Sequence, residues 1–326
     1  MSTRTTPQGA AALHPDWPEA RFNLSGMFGL HPVILQLIKV VERAFGCRLP
    51  IEAIHGAPDM PWNGGRWSRM PFNPAEFATV LNFLHSRNIG FYATFTNNHI
   101  TSDDLSHPLG NQLLEIINQR PDLNGVIITS ELLSQYISRK YPAIRQIASI
   151  TKVEFEKGVG RVEYYRELGK RFHRYVVHSD DCCKPQLLGQ LDREKAEIIV
   201  NENCVRNCPQ RFHHFDTIAR LQRAQTPAEQ QKWMQEINAI MSRCPQPAHL
   251  HRIGEHALSC NLSCDEMKAV YDLGFRHFKL QGRGDDPQSY AYDLTRFMLE
   301  PEVAAPQAAK VILRWLEQVL AMASGK

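Results

Sequence analysis

The strongest constraint on this chain is a sustained alternation of short apolar runs with segments of helical spacing. Residues 22–28, 50–55, 89–95, 125–129, 146–151, 174–178, 196–200 and 275–280 read as strands, and 257–258 as a doubtful ninth. Between them, residues 31–45 carry Val33, Ile34, Leu37, Ile38, Val41 and Ala44 at helical spacing, with Gly46 as the stop. Asn73 and Pro74 cap and open a second helix to about Arg87. Further helical patterns occupy 111–118, 130–140, 161–171, 185–195, 265–273, 287–298 and 304–322. Strands separated by helices make a parallel sheet with crossovers. The count predicts a TIM-like (β/α)8 barrel over 21–326, a single domain, with a doubly wound open sheet as the alternative. No Gly-x-Gly-x-x-Gly follows the first strand, which weakens a dinucleotide-binding reading. Residues 215–247 are polar, Gln-rich and helical, and read as an insertion; 304–322 is a closing C-terminal helix, and 1–20 a flexible lead-in.

Composition narrows the class. With 326 residues, 43% hydrophobic and 22% charged, the chain can bury one large α/β core. Its net charge of +3 is scattered, so there is no DNA-binding footprint, and no run reaches the ~20 apolar residues of a membrane helix. The first twenty residues lack the apolar centre of a signal peptide, and a cytoplasmic location is expected. Seven of the eight cysteines lie in the second half, at 182, 183, 204, 208, 244, 260 and 264. In a reducing compartment such clustering points to metal or redox chemistry.

The chemistry concentrates in the stretch Asn-Glu-Asn-Cys-Val-Arg-Asn-Cys-Pro-Gln-Arg-Phe-His-His that begins at Asn201. It follows an apolar strand and leads into a helix, the place where α/β proteins carry their functional loops. Asn, Arg and His beside Cys204 and Cys208 favour thiolates, the form that binds metal. An iron–sulfur cluster is expected, and a structural zinc on Cys204, Cys208, Cys244 and Cys260 stays open. The third cysteine of a radical-SAM pattern would fall at Arg211, so that chemistry is not indicated. Residues just after the other strands would converge on the same barrel face. They supply His55, Arg66 as an anion clamp beside two glycines, Asn98, Glu131, Arg211, Lys279 and Arg283 as candidate catalytic groups. Lys279, inside an apolar strand, should point into the barrel and meet a carboxylate or substrate. Cys47 reads as a small buried hydrophobe, and Cys264 as the first turn of a helix. A peptidase reading would pair Cys183 with His178.

Asn-Glu-Asn-Cys-x3-Cys-Pro-x-Arg-x-x-His from Asn201, the later Cys244, and the run from Asp265 through Phe-Lys-Leu-Gln-Gly to Arg283 resemble the peptidase U-32 family and its relatives. The segment Gly-Val-Ile-Ile-Thr-Ser that ends at Glu131 matches as well. The resemblance spans about 22–298 and is sharpest in the last third. It implies a TIM-like barrel holding a 4Fe-4S cluster, and an oxidoreductase that hydroxylates without oxygen or performs a related group transfer. Cys204 and Cys208 correspond to the central ligand pair and Cys244 to the next; Cys260 is the choice for the fourth, ahead of Cys183 and Cys182. The lack of an evident accessory domain favours a small-molecule substrate over RNA. An electron donor or a sister U-32-like subunit would be the partner. A zinc-stabilised, non-catalytic partner protein, pairing through the helix of Trp315, is the alternative outside enzymology.

Overall fold

The computed structural model describes residues 12–65, 72–244, 259–282 and 287–323. Arg66 and Arg283 lie outside the described residues, so their expected roles have no placement.

Eight parallel strands close into a barrel: β1 (Arg21–Ser25), β2 (Ile51–Gly56), β3 (Gly90–Phe95), β4 (Gly125–Ile128), β5 (Arg145–Ala148), β6 (Arg174–Val177), β7 (Ala196–Ile199) and β10 (His277–Leu280). Around the barrel the order is β1, β10, β7, β6, β5, β4, β3, β2, so each strand neighbours its predecessor and β10 seals against β1. This is the (β/α)8 arrangement that the alternation predicts. Two strands lie outside the ring: β8 (Asn201–Val205) pairs antiparallel with β9 (Ser259–Asn261).

Helices cover the outside for the reason visible in α1 (His31–Phe45). Its buried residues Val33, Ile34, Leu37, Ile38 and Val41 form one stripe, and Gly46 ends it in a left-handed turn with φ 63°, where a side chain would be strained. The ring continues with α2 (Pro74–His85), α3 (Pro108–Asn118), α4 (Glu131–Lys140), α5 (Ile150–Phe155), α6 (Val162–Arg171) and α7 (Pro185–Leu188). The region expected as an insertion is the hairpin of α8 (Arg211–Arg223) and α9 (Pro227–Ser242); α10 (Cys264–Asp272), α11 (Pro287–Met298) and α12 (Ala304–Ala323) complete the chain. Along α12, Ala308, Ile312 and Leu316 are buried, packed with α1 and α11, so much of the apolar face around Trp315 is used internally.

Residues 12–20 are part of the packed body and do not behave as the flexible lead-in expected there. Trp17 is 2% exposed, stacks on His14 at 3.5 Å and donates its indole N–H to Phe297 O at 2.6 Å. An indole that buries its ring and satisfies its N–H is held on both counts.

Inside the barrel the side chains change character with height. Ala53, Tyr92, Ile127, Ile147, Val176 and Ile199 form a separate apolar cluster within the ring. Two residues further along five of these strands, the next inward position is His55, Thr94, Thr129, Ser149 or His178. The C-terminal mouth is therefore polar by strand periodicity. At the opposite end, the register slips between β1 and β2, leaving Glu52 as an extra residue between the partners of Phe22 and Asn23. Glu52 reaches Arg174 on β6 and accepts from His277 Nδ1 at 3.0 Å, closing that end with an ion-paired plug.

Candidate functional site

The sequence expectation that Cys204 sits in a loop needs correction. Asn201–Val205 is strand β8, because Ser259–Asn261 returns beside it to complete an antiparallel ladder. The backbone then turns through Asn207, at φ 53°, a conformation asparagine tolerates better than most residues. Cys208 follows, and its carbonyl accepts the N–H of Arg211 at 3.2 Å. That turn starts α8 and sets Arg211 at its first position.

Arg211 is the centre of the site. It is 3% exposed and forms an ion pair with Asp180, from the loop after β6. Its Nη2 donates to Val205 O at 2.6 Å and approaches Cys260 Sγ at 3.5 Å and Cys204 Sγ at 3.8 Å. The second oxygen of Asp180 accepts from the backbone N–H of Asn207 at 2.8 Å and lies 3.7 Å from Cys260 Sγ. One carboxylate thus fixes the arginine, the turn between the two cysteines and the neighbouring thiol. Burial alone would raise the Asp180 carboxyl, but the hydrogen bond and charge of Arg211 outweigh it and hold it below its ordinary value. Burial opposes the charge on Arg211, and Asp180 overrides this to keep the guanidinium firmly protonated. Behind them, the fully buried His178 meets Arg211 Nη1 at 3.4 Å and Glu154 Oε2 at 2.9 Å.

The thiols around this pair are protonated groups in a dry setting. Burial, reinforced by Glu202, pushes Cys204 up to about 12 against the pull of Arg211. Cys260 is raised further by burial, opposed by Arg211. Cys183 is raised to about 11 by burial and by Glu266, whose Oε1 is 3.8 Å from its sulfur. Arg206 pairs with the same Glu266 oxygen at 2.7 Å and feels the charges of both Cys183 and Cys260. Cys182 is fully buried and directs its S–H toward His178 O at 3.4 Å. Cys264 opens α10 behind the cap Ser263, as its position in the sequence implied. Cys47 is half-buried, consistent with a packing role.

Two expected groupings do not form among the described contacts. Cys244 lies two residues past the end of α9, its N–H on Met241 O, and no described contact brings it to Cys204 or Cys260. Cys183 is directed at Glu266, while the His178 ring is engaged by Glu154 and Arg211, so the peptidase-like pairing is not assembled. Among the described residues, no three His, Cys, Asp or Glu side chains converge as a ready cage for a single metal ion.

The remaining candidates fall at different depths. Lys279 meets a carboxylate as expected, with Nζ 3.7 Å from Glu197 Oε1, inside the ring. Burial lowers its pKa and Glu197 partly restores it. His55, buried above the middle layer, bonds through Nδ1 to Asn23 Oδ1 at 2.8 Å, and Asn23 Nδ2 donates to Glu197 at 3.3 Å. Burial and the neighbouring Lys279 keep His55 neutral, well below the usual histidine range. Asn98 sits under α8, donating to Asp216 at 3.5 Å, with its carbonyl oxygen buried and without a partner among the described residues. Glu131 is the outlier: it opens α4, is 43% exposed, and pairs with Arg171 at 2.5 Å and Lys152 at 3.4 Å. Those cations draw it to the outer groove between α4 and α6, away from the thiols.

Helix α8 spans the mouth. Arg211 anchors its first turn beside β6. Near its other end, Asn97 Nδ2, after β3, donates to Ala219 O at 2.8 Å. Gln222 donates to Gly65 O at 2.9 Å, and Arg223 pairs with Asp104 at 3.0 Å. Between these anchors, Phe212 packs edge-on against Phe155 at 5.3 Å. Sequence reasoning missed Asp180, Glu154, Arg206 and Asn97, although the acidic pair Asp180-Asp181 beside two cysteines was a readable signal for the first.

No family model and no curated protein matches the chain. Among solved structures it is similar to one titled "The Structure of the U32 Peptidase Mk0906", at 12% identity and a TM-score of 0.48, over 81% of this chain and 93% of that chain. Among the described residues, no helix is long and apolar enough to cross a membrane.

Proposed function

We propose that the chain is an iron–sulfur enzyme that works at the barrel mouth beneath α8, performing oxygen-independent hydroxylation or a related group transfer on a small molecule. The observation that carries this reading is the gathering of Cys204, Cys260 and Cys183 about two arginines, with Cys208 one turn away. At their centre, the Nε–H of Arg211 is buried and has no acceptor among the described residues. Buried donors are rarely left unpaired, and an anionic, sulfide-rich group beside the thiols would accept this one. The donor set therefore fits a cluster in its chemistry, with Cys204 and Cys208 as the central ligands. The placement favours Cys260 and Cys183 over Cys244 for the rest. When bound, a 4Fe-4S cluster supplies electrons, or an open iron if only three thiolates ligate.

The chain's own residues would do the rest. Arg211 and Arg206 offset the negative charge of the thiolates, and Asp180 keeps Arg211 in register. Thr129 and Ser149 present hydroxyl groups at the mouth, His55 lies in the support beneath them, and α8 limits the entry of water. An electron donor is required as partner. Anaerobic preparation followed by iron and sulfide analysis tests the proposal. About four irons per chain, lost in Cys204→Ala and in Cys183→Ala but kept in Cys244→Ala, is the expected result. A colourless chain that takes up zinc, or no metal, overturns it.

A further inference from the structure

We propose that the cleft at the outer end of α8 binds a neutral planar heterocycle with a lactam edge, a ring N–H beside a carbonyl. The cleft has a volume of about 480 Å³. It lies where the loop after β2, with Met60 and Pro61, meets His107, the N-cap of α3, and the end of α8, with Gln222, Arg223 and Ala224. Cavities of roughly 300–1,000 Å³ suit small organic ligands. Gln222 stands eleven residues along from Arg211, roughly 16 Å at the helical rise, so the cleft is separate from the thiols.

The buried side of this cleft is short of partners. Gln222 is 7% exposed; its Nε2 donates to Gly65 O at 2.9 Å, and its buried Oε1 has no donor among the described residues. Arg223 is held by Asp104 at 3.0 Å, and its Nε–H, also buried, has no acceptor among them. Buried polar groups are rarely left without partners. An acceptor and a donor on successive residues complement a lactam, whose N–H donates and whose carbonyl accepts. His107 adds a third polar group. Its Nδ1 accepts the N–H of Gly110 at 3.3 Å, which puts the ring proton on Nε2 as a further donor. Met60, Pro61 and Ala224 supply apolar wall for a flat ring. Charge selects a neutral occupant: an anion would meet Asp59 and find Arg223 already neutralised by Asp104, while burial holds His107 below its ordinary value.

The test titrates the full chain with hypoxanthine and with purine, which share a ring system and differ in the lactam, by saturation-transfer difference NMR. The expected result is a Kd of about 1 mM or tighter for hypoxanthine, with purine weaker by about tenfold. Gln222→Met removes the acceptor; Arg223→Lys keeps a cation for Asp104 but lacks the Nε–H. Each should weaken hypoxanthine by about tenfold and leave purine as it was. Deuterium exchange on the wild type guards against a variant that merely loosens the fold. Bound hypoxanthine should slow exchange in peptides covering 57–65 and 219–230 and leave those covering β5 unchanged. Lumazine, a pteridine with the same edge, distinguishes the two ring sources, and binding of either supports the site. Equal binding of purine and hypoxanthine, protection elsewhere, or displacement by inorganic phosphate overturns the proposal, as does failure of both lactams to bind. None of these readouts depends on iron, so refuting the cluster would leave the cleft standing.

Discussion

Replacing Asp180 with alanine should be among the most destabilising single changes in the molecule, and the structure allows its size to be worked out. Arg211 is 3% exposed and its Nη1 depends on this carboxylate. Removing one partner of a buried ion pair leaves an uncompensated charge and costs about 3–5 kcal/mol. Val205 O still accepts from Nη2, which pulls the expectation toward the lower half of that range. The Asn207 N–H loses its acceptor as well, adding about 1 kcal/mol, so about 4 kcal/mol in total is expected. Asp180→Asn keeps an acceptor oxygen and should cost about half as much. In Asp180→Asn/Arg211→Met, the loss should fall short of the sum of the two singles by about 2 kcal/mol, because each single strands the other's partner. Urea unfolding followed by far-UV circular dichroism measures all three. The folded carboxyl is held below its unfolded value, so its contribution is complete above about pH 4 and is lost as pH falls through the folded pKa. The gap between wild type and Asp180→Ala should therefore be constant at neutral pH and shrink only in acid. A cost under about 1 kcal/mol at pH 7, the size of an exposed pair, would show that Arg211 is solvated and would refute the reading of this site as dry.

Other perturbations probe the rest of the architecture. Trp17→Ala should lose about 3 kcal/mol, read from its urea midpoint, because it empties a buried site and orphans Phe297 O; a neutral result would return residues 12–20 to the status of a loose tail. Gly110→Ala would place a methyl 2.5 Å from the ring of Trp62, which is fully buried, and should cost about 1–3 kcal/mol with a shifted indole fluorescence. Asn97→Ala strips the carbonyls of Asn63 and Ala219 of their donor, so amides of α8 should exchange faster with deuterium while those of β1 to β7 do not. His14 is lowered to about 4, mainly by burial, so it stays neutral in the fold while the unfolded chain gains a proton below about pH 6.5. Stability should then fall as pH drops from 6.5 toward 4, and His14→Phe, which keeps the stack on Trp17, should reduce that slope.

The barrel was legible because its signal is local. Each strand is an apolar run bounded by turn chemistry, and each covering helix carries its own stripe, so α1 and its Gly46 stop could be placed almost to the residue. Strand β8 was not legible. Asn201–Val205 is polar, reads as a loop by itself, and is extended only because Ser259–Asn261 comes back beside it from more than fifty residues away. Lys279 was predictable, since an ammonium in an apolar strand needs a carboxylate, and Glu197 supplies it. Glu131 was misplaced for the complementary reason. Its position after β4 put it near the mouth on paper, but the direction of α4 and the pull of Arg171 and Lys152 turned it outward.

The charged groups inside this barrel divide by height, and that division bears on where chemistry can occur. At the N-terminal end, Glu52, Arg174 and His277 satisfy one another across the ring, and the carboxyl of Glu52 is brought down to about 2 by His277 and Arg174 against the cost of burial. Higher up, Lys279, Glu197, Asn23 and His55 are linked in the same way, with an apolar layer beside them. Both groups are self-contained, as buried polar networks must be if they are to rigidify a core. The group around Arg211 differs from them. It holds a buried N–H with no acceptor among the described residues, thiols raised by burial, and a covering helix held at both ends by side-chain to backbone hydrogen bonds. A closed network gains nothing from a ligand, whereas an open one gains the hydrogen bonds and charge compensation it lacks. On the function proposed above, this asymmetry favours Cys204 and Arg211 as the reactive end of the protein, with Lys279 and His55 as the support beneath it.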